Sequence, residues 1–248
     1  MATTKPFRNR TQAGKQLSLA LRACGIDPGA IVLALPRGGV PVGFAVAHAL
    51  ALPLDILLVR KLGMPGHEEY AIGAVASGGV RVLQRGMMQH VGLTPAALET
   101  MCDREMAEIA RRERRYRGAR PPPQLAGRTV ILVDDGLATG STMRAAIAVT
   151  QAQEPARLLV AVPVGAAASC AALAPEVDEL ICLIRPHLFR AVSQWYLQFD
   201  QTSDDEVIDL LAQSWHGPRD TPARHPSINK INHGGNDETS DRPGPATR

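Results

Sequence analysis

Aromatic side chains are scarce in this 248-residue chain, with two Trp, three Tyr and four Phe. So few rings leave no ladder on which a single-stranded nucleic acid would stack. An excess of one charge is lacking too, because a formal net charge of +3 is too slight to demand a polyanionic partner. Cysteine is limited to Cys24, Cys102, Cys170 and Cys182, without C-x-x-C spacing, and His48, His67, His90 and His187 make no ligand spacing with them. Neither a zinc site nor a disulfide framework is predicted, and the thiols read as buried or incidental in a reducing, cytoplasmic setting. There is no N-terminal leader-like apolar segment and no apolar run of the roughly 20 residues that a membrane helix needs. A membrane role is therefore not expected.

What is present is alternation. Apolar runs near 31–35, 55–60, 71–76, 80–84, 129–134, 157–163 and 179–184 read as strands, with helical segments between them. The pattern predicts an α/β fold, a mostly parallel central sheet with helices on both faces. Residues 1 to about 29 read as an amphipathic helix entering the domain, with Arg8 and Arg10 placed to fasten this arm to the body. Thr94 and Pro95 start a helix that runs to about Tyr116, ahead of a stop at Pro121 to Pro123. Its Arg111, Arg112, Arg114, Arg115 and Arg117 would either attract nucleic acid or form a solvated face paired with Glu108 and Glu113. The solvated face is preferred, so no nucleic-acid partner is expected. Residues 1–216 read as the domain, and 217–248, with scattered Pro and Gly and few apolar residues, as a disordered tail.

Chemistry concentrates in "VILVDDGLATGST", residues 130–142. Val130 to Val133 form a buried strand, and Met143, Ala146 and Ile147 recur at helical spacing, so the loop between leaves a strand's carboxyl end and opens a helix. Open α/β sheets bind ligands there. Ala138, Thr139, Gly140, Ser141 and Thr142 offer backbone N–H groups and hydroxyls to an anion, which suits a phosphate. Asp134 and Asp135 would repel that phosphate unless a ribose diol or a hydrated divalent cation lay between them, and a sugar phosphate satisfies both halves. The competing reading makes Asp135 a turn cap, with Thr139 or Ser141 capping the helix. A Walker loop is excluded, since no Lys follows the second glycine.

This segment resembles the phosphoribosyl pyrophosphate (PRPP) signature of type I phosphoribosyltransferases. The resemblance extends over roughly residues 5–215 and implies that family's fold: a mostly parallel central sheet with helices on both faces, a mobile flap and a small hood. It implies that Asp134 and Asp135 hold the ribose hydroxyls and that Ala138 to Thr142 wrap the 5′-phosphate. The turn "LPRGG" after the first strand, with Arg37, Gly38 and Gly39, would receive pyrophosphate, although alone it reads rather as an ordinary strand-to-helix turn with a surface Arg. Lys61, following Arg60 at the start of the flap, would neutralise the same leaving group, so Lys61, Arg37 and Asp135 are the expected catalytic residues. Glu68 and Glu69 read as surface residues rather than proton carriers.

The implied reaction transfers the 5-phosphoribosyl group to a nitrogenous base and releases pyrophosphate, as in nucleotide salvage. Mg²⁺ would be held by the substrate's own oxygens and water, with no dedicated protein site. The hood would come from the N-terminal arm, from residues 185–200, or from both, with the helix at about 94–117 as an insertion. Phe189, Trp195 and Tyr196 are candidates to stack on the base, and core packing is the alternative for each ring. Gly136 departs from the family, which usually has an aliphatic residue there, and would loosen the loop without removing a contact. Ala138 stands where 6-oxopurine enzymes carry an Asp and speaks against that acceptor. The whole looks like a bacterial subgroup of unassigned acceptor, some members of which are fused to a hydrolase-like domain for which this tail is too short. Family members are often homodimers, but nothing in the sequence marks an interface. The rival reading is a regulator that binds PRPP or nucleotide without turnover.

Overall fold

The computed structural model describes residues 5–64, 67–83 and 94–216, and excludes the side chains of 64–71. The predicted tail from 217 and the side chains of Glu68 and Glu69 lie outside the described residues. In chain order the elements are α1 (Arg10–Arg22), β1 (Ile31–Ala34), α2 (Gly39–Leu50), β2 (Leu54–Ile56), β3 (Val59–Met64), β4 (His67–Ala76) and β5 (Val80–Leu83). There follow α3 (Pro95–Arg117), β6 (Thr129–Val133), α4 (Ser141–Gln151), β7 (Arg157–Val164), α5 (Ala167–Leu173), β8 (Glu179–Ile184) and α6 (Asp204–His216).

Five strands form a parallel sheet in the order β2-β1-β6-β7-β8. Its central strands carry unbroken apolar runs, Ile31–Ala34 in β1 and Val130–Val133 in β6, because both faces are covered there. Val32, Ala34, Ile131, Val133, Leu159 and Ala161 pack toward Leu17 and Leu21 of α1, Val42 and Val46 of α2, and Val207 and Leu211 of α6. Ile31, Leu33, Val130, Leu132, Leu158 and Val160 point the other way, onto Met143 and Ile147 of α4 and Leu173 of α5. Each such side chain, fully buried, contributes about 1.5–3 kcal/mol of apolar transfer.

The strand predicted at 55–60 is two strands. Leu54–Ile56 runs parallel to β1, whereas Val59–Met64 pairs antiparallel with β4 in a separate three-stranded sheet, β3-β4-β5. Only Leu57 and Leu58 link β2 to β3, too few for the crossover of a dozen or more residues that a parallel neighbour needs, so β3 lies in the second sheet. Gly78 and Gly79, at φ 77° and 80°, make the turn between β4 and β5.

Caps appear where the residues suggest them. Thr94 Oγ1 accepts the Ala97 N–H at 3.2 Å at the start of α3, and Ser203 Oγ accepts the Glu206 N–H at 3.0 Å at the start of α6. Arg111 and Arg112 pair with Glu108 on an exposed face of α3. Arg117 corrects the expectation of a solvated arginine face. It is buried, paired with Asp55 at 2.8 Å and Glu113 at 2.6 Å, and donates to the Ile56 carbonyl at 2.5 Å. Two carboxylates and a carbonyl compensate the cost of burying the charge. All four cysteines are free, and among the described residues no helix is long and apolar enough to cross a membrane.

Candidate functional site

Strand order reverses between β1 and β6. The chain leaves β1 through α2 on one face of the sheet and leaves β6 through α4 on the other, so the two following loops part and open a crevice between them. The first loop carries Arg37, Gly38 and Gly39; the second carries the acids and the hydroxyl residues. Their approach is so close that a Cβ on Gly38 would lie 2.1 Å from Asp135 Oδ2, and one on Gly39 would lie 2.7 Å from the Val133 carbonyl. The glycines are there because the acids are.

Asp134 Oδ1 accepts the Asp135 backbone N–H at 2.8 Å. Burial pushes the Asp134 carboxyl well above the usual carboxylate range, and the charge of Asp135 adds to the push. Burial raises Asp135 too, opposed by the Arg10 guanidinium. Arg10 Nε and Nη2 both meet Asp135 Oδ2, at 2.9 and 2.8 Å, while Nη1 donates to the Asp200 carbonyl at 2.7 Å. The same guanidinium lies 3.9 Å from the centre of the Phe199 ring.

The hydroxyl loop ends at Gly140, whose φ of 75° suits a residue without a Cβ, and α4 starts there with no side-chain cap. The Ser141 N–H makes only a long 3.5 Å contact to Thr139 Oγ1, which leaves the first turn open to an outside acceptor. Thr139 and Ser141 hydroxyls lie 3.2 Å apart, and Lys61 Nζ, reaching across from β3, donates to Ser141 Oγ at 3.2 Å. Ala138 and Thr142 are exposed. Arg37 is partly exposed and stands 3.8 Å from Asp204, which also pairs with Arg115 at 2.8 Å and accepts the Tyr116 hydroxyl at 2.5 Å. The structure thus brings Asp134 and Asp135 beside Gly38 and Gly39, and sets Lys61 against Ser141.

The phosphoribosyl transferase domain family matches residues 27–199, well over half of the chain. The chain belongs to that family. Two Mycobacterium tuberculosis proteins, from strains CDC 1551 and H37Rv and named provisionally as phosphoribosyl transferases, are each 44% identical to it over 207 residues. That match takes in 84% of this chain and 46% of each relative, so the chain spans about half the length of the curated relatives it matches. The crystal structure of TT1426 from Thermus thermophilus superposes with a TM-score of 0.78 at 40% identity, over 84% of this chain and 98% of that one.

Within this phosphoribosyl transferase domain, the rings near the C-terminal end pack among themselves. Phe189 and Trp195 lie against a cluster of Phe7, Val164, Ile184 and Tyr196. Tyr196 is buried, with ring centroids 5.6 Å from Phe7 and 5.0 Å from Phe199, and donates its hydroxyl to the Asp135 carbonyl at 2.6 Å. The core-packing alternative describes Tyr196 in this structure. Among the described residues, the buried Trp195 Nε1 has no hydrogen-bond partner. A cavity of about 270 Å³, lined by residues that include Arg10, Pro41, Gln198, Asp200 and Glu206, opens next to the arm.

At Gly136 a Cβ would lie 2.6 Å from Val192 Cγ1, so the branched side chain of the facing segment occupies that space. The contacts of Arg10 and Tyr196 with Asp135 could not be read locally, because 125 and 61 positions separate the partners. The only pointer was an arginine on an arm that needed fastening.

Proposed function

We propose that the protein transfers the 5-phosphoribosyl group of PRPP to a nitrogenous base, releasing pyrophosphate. The observation that carries this reading is the meeting of an acid pair, a glycine loop and a hydroxyl loop at one crevice where strand order reverses. Asp134 and Asp135 accept hydrogen bonds from the ribose hydroxyls, and residues 138–142 receive the 5′-phosphate on amides and hydroxyls. Arg37, Gly38 and Gly39 face the pyrophosphate. Lys61, resting on Ser141, adds a positive charge to the phosphate loop.

In the reaction the bond from the anomeric carbon to pyrophosphate breaks and a carbon–nitrogen bond forms, through an oxocarbenium-like state. The protein's work is to align the nitrogen with the anomeric carbon and to offset negative charge growing on the leaving group. Mg²⁺ would arrive with PRPP, held chiefly by the substrate's own oxygens and water, and neutralise its pyrophosphate. The polar cavity beside Arg10 supports an acceptor that presents N–H groups to Asp200 and Glu206.

The test is calorimetric titration with PRPP and Mg²⁺, followed by a screen of bases for pyrophosphate release. Binding with release names the acceptor. Saturable binding without release from any base favours the regulator, and absence of binding overturns the assignment of residues 134–142.

A further inference from the structure

The hood is tied to the ribose subsite at two points. Phe7 bridges to Tyr196, donates its N–H to the Trp195 carbonyl at 2.8 Å and accepts from Leu197 at 2.8 Å. From that seam, Tyr196 grips the Asp135 backbone and Arg10 grips its side chain. Arg10 and Asp135 side chains are 12% and 15% exposed, so the pair is largely shielded from bulk water. We propose that Arg10, delivered by the N-terminal arm, is a positioning residue of the ribose subsite: it fixes the Asp135 carboxylate and compensates its charge, so seating of the hood sets the strength of sugar binding. The inference rests on the reading of Asp135 as a ribose acid.

Adjacent carboxylates at a buried strand end repel, and without a counter-charge one takes up a proton. A charged carboxylate is the stronger acceptor for a sugar hydroxyl. The charged and titratable groups that face Asp135 are Asp134 from β6, Arg10 from α1 and Tyr196 from the segment before α6. The glycine loop meets it through Gly38. Arg10 is the one cation in this set. Its remaining contacts, to the Asp200 carbonyl and the Phe199 ring, hold the guanidinium in place without a second carboxylate to share its charge.

The experiment is titration of ribose 5-phosphate into wild type and variants across acid to alkaline pH. Removing Arg10 raises the Asp135 pKa, so the acid-side loss of affinity extends to higher pH and is recovered in alkali. Arg10→Gln is expected to bind about tenfold more weakly near neutrality, with its acid limb displaced upward by about one unit or more. Titration of the ligand phosphate is common to both proteins and cancels. An unchanged affinity overturns the proposal, as does an equal loss at every pH, which marks a structural role alone. Should Arg10→Gln fail to fold, Arg10→Lys keeps the charge and must retain the wild-type pH profile; a displaced profile overturns the proposal. In an Asp135→Asn background, Arg10→Gln is expected to add little further loss, and a full further loss also overturns it. Failure of wild type to bind ribose 5-phosphate is distinguishable from these outcomes: it overturns the ribose reading itself.

Discussion

Lys61 Nζ donates to Ser141 Oγ at 3.2 Å, joining the antiparallel β3-β4-β5 sheet to the first residue of α4. The contact follows from two turns. The short link after β2 throws β3 out of the parallel sheet, and the chain after β6 bends at Gly140 to start a helix, so an ammonium from a strand and a hydroxyl from a sequence-remote helix face one another. The resemblance implies pyrophosphate for Lys61; the structure sets its ammonium against the hydroxyl loop.

Lys61→Met is expected to weaken ribose 5-phosphate binding by about tenfold, the scale of one charge-assisted hydrogen bond. Binding of inorganic pyrophosphate serves as the comparison in the same calorimeter. A loss confined to pyrophosphate would return Lys61 to the leaving group.

Gly38→Ala places a methyl group where Asp135 Oδ2 stands, at 2.1 Å, so the carboxylate must move off Arg10. PRPP affinity should fall about tenfold or more while the sheet stays folded, because a charge-assisted contact is worth about 1.5–3 kcal/mol. Unaltered affinity with a normal circular-dichroism melt would show that the acid does not need this place.

Arg117→Met leaves Asp55 buried without its cation. The expected cost is about 3–5 kcal/mol in urea unfolding, the scale of one broken buried pair. Burial already raises the Asp55 pKa against the pull of Arg117, so losing the cation raises it further. An Asp whose folded pKa is raised stabilises the fold when protonated, so the deficit should shrink as pH falls and grow as pH rises. A loss below 1 kcal/mol at neutral pH, roughly the surface-pair range, would contradict this role.

Gly136→Ala should destabilise by about 1–3 kcal/mol through overpacking against Val192. Val192→Ala in the same chain should recover most of that loss. Additive losses in the double-mutant cycle would deny the contact.

Much of the fold was legible because its signals are local. Val130 to Val133 announce a buried strand, Thr94–Pro95 a helix start, and a loop of small hydroxyl residues before Met143 a helix opening. The division of 55–60 into two strands was not legible, because Leu57 and Leu58 continue the apolar run and nothing local marks the break between β2 and β3. The acids and loops of the site could be named from one motif, but not their neighbours. Arg10, Tyr196 and Val192 reach the site through packing of segments far apart in sequence, and periodicity carries no record of such partners. Arg117 differs from Arg111 and Arg112 only in the face of α3 on which it falls.

The seam between Phe7 and residues 195–197 has a bearing on how the chain is made. During synthesis Phe7 emerges well before residues 195–197, so Asp135 is already made when that pairing forms. Until then, a chaperone or a neighbouring apolar surface can claim Phe7. An affinity tag fused just ahead of Phe7 would load a bridge that has to wait for its partner.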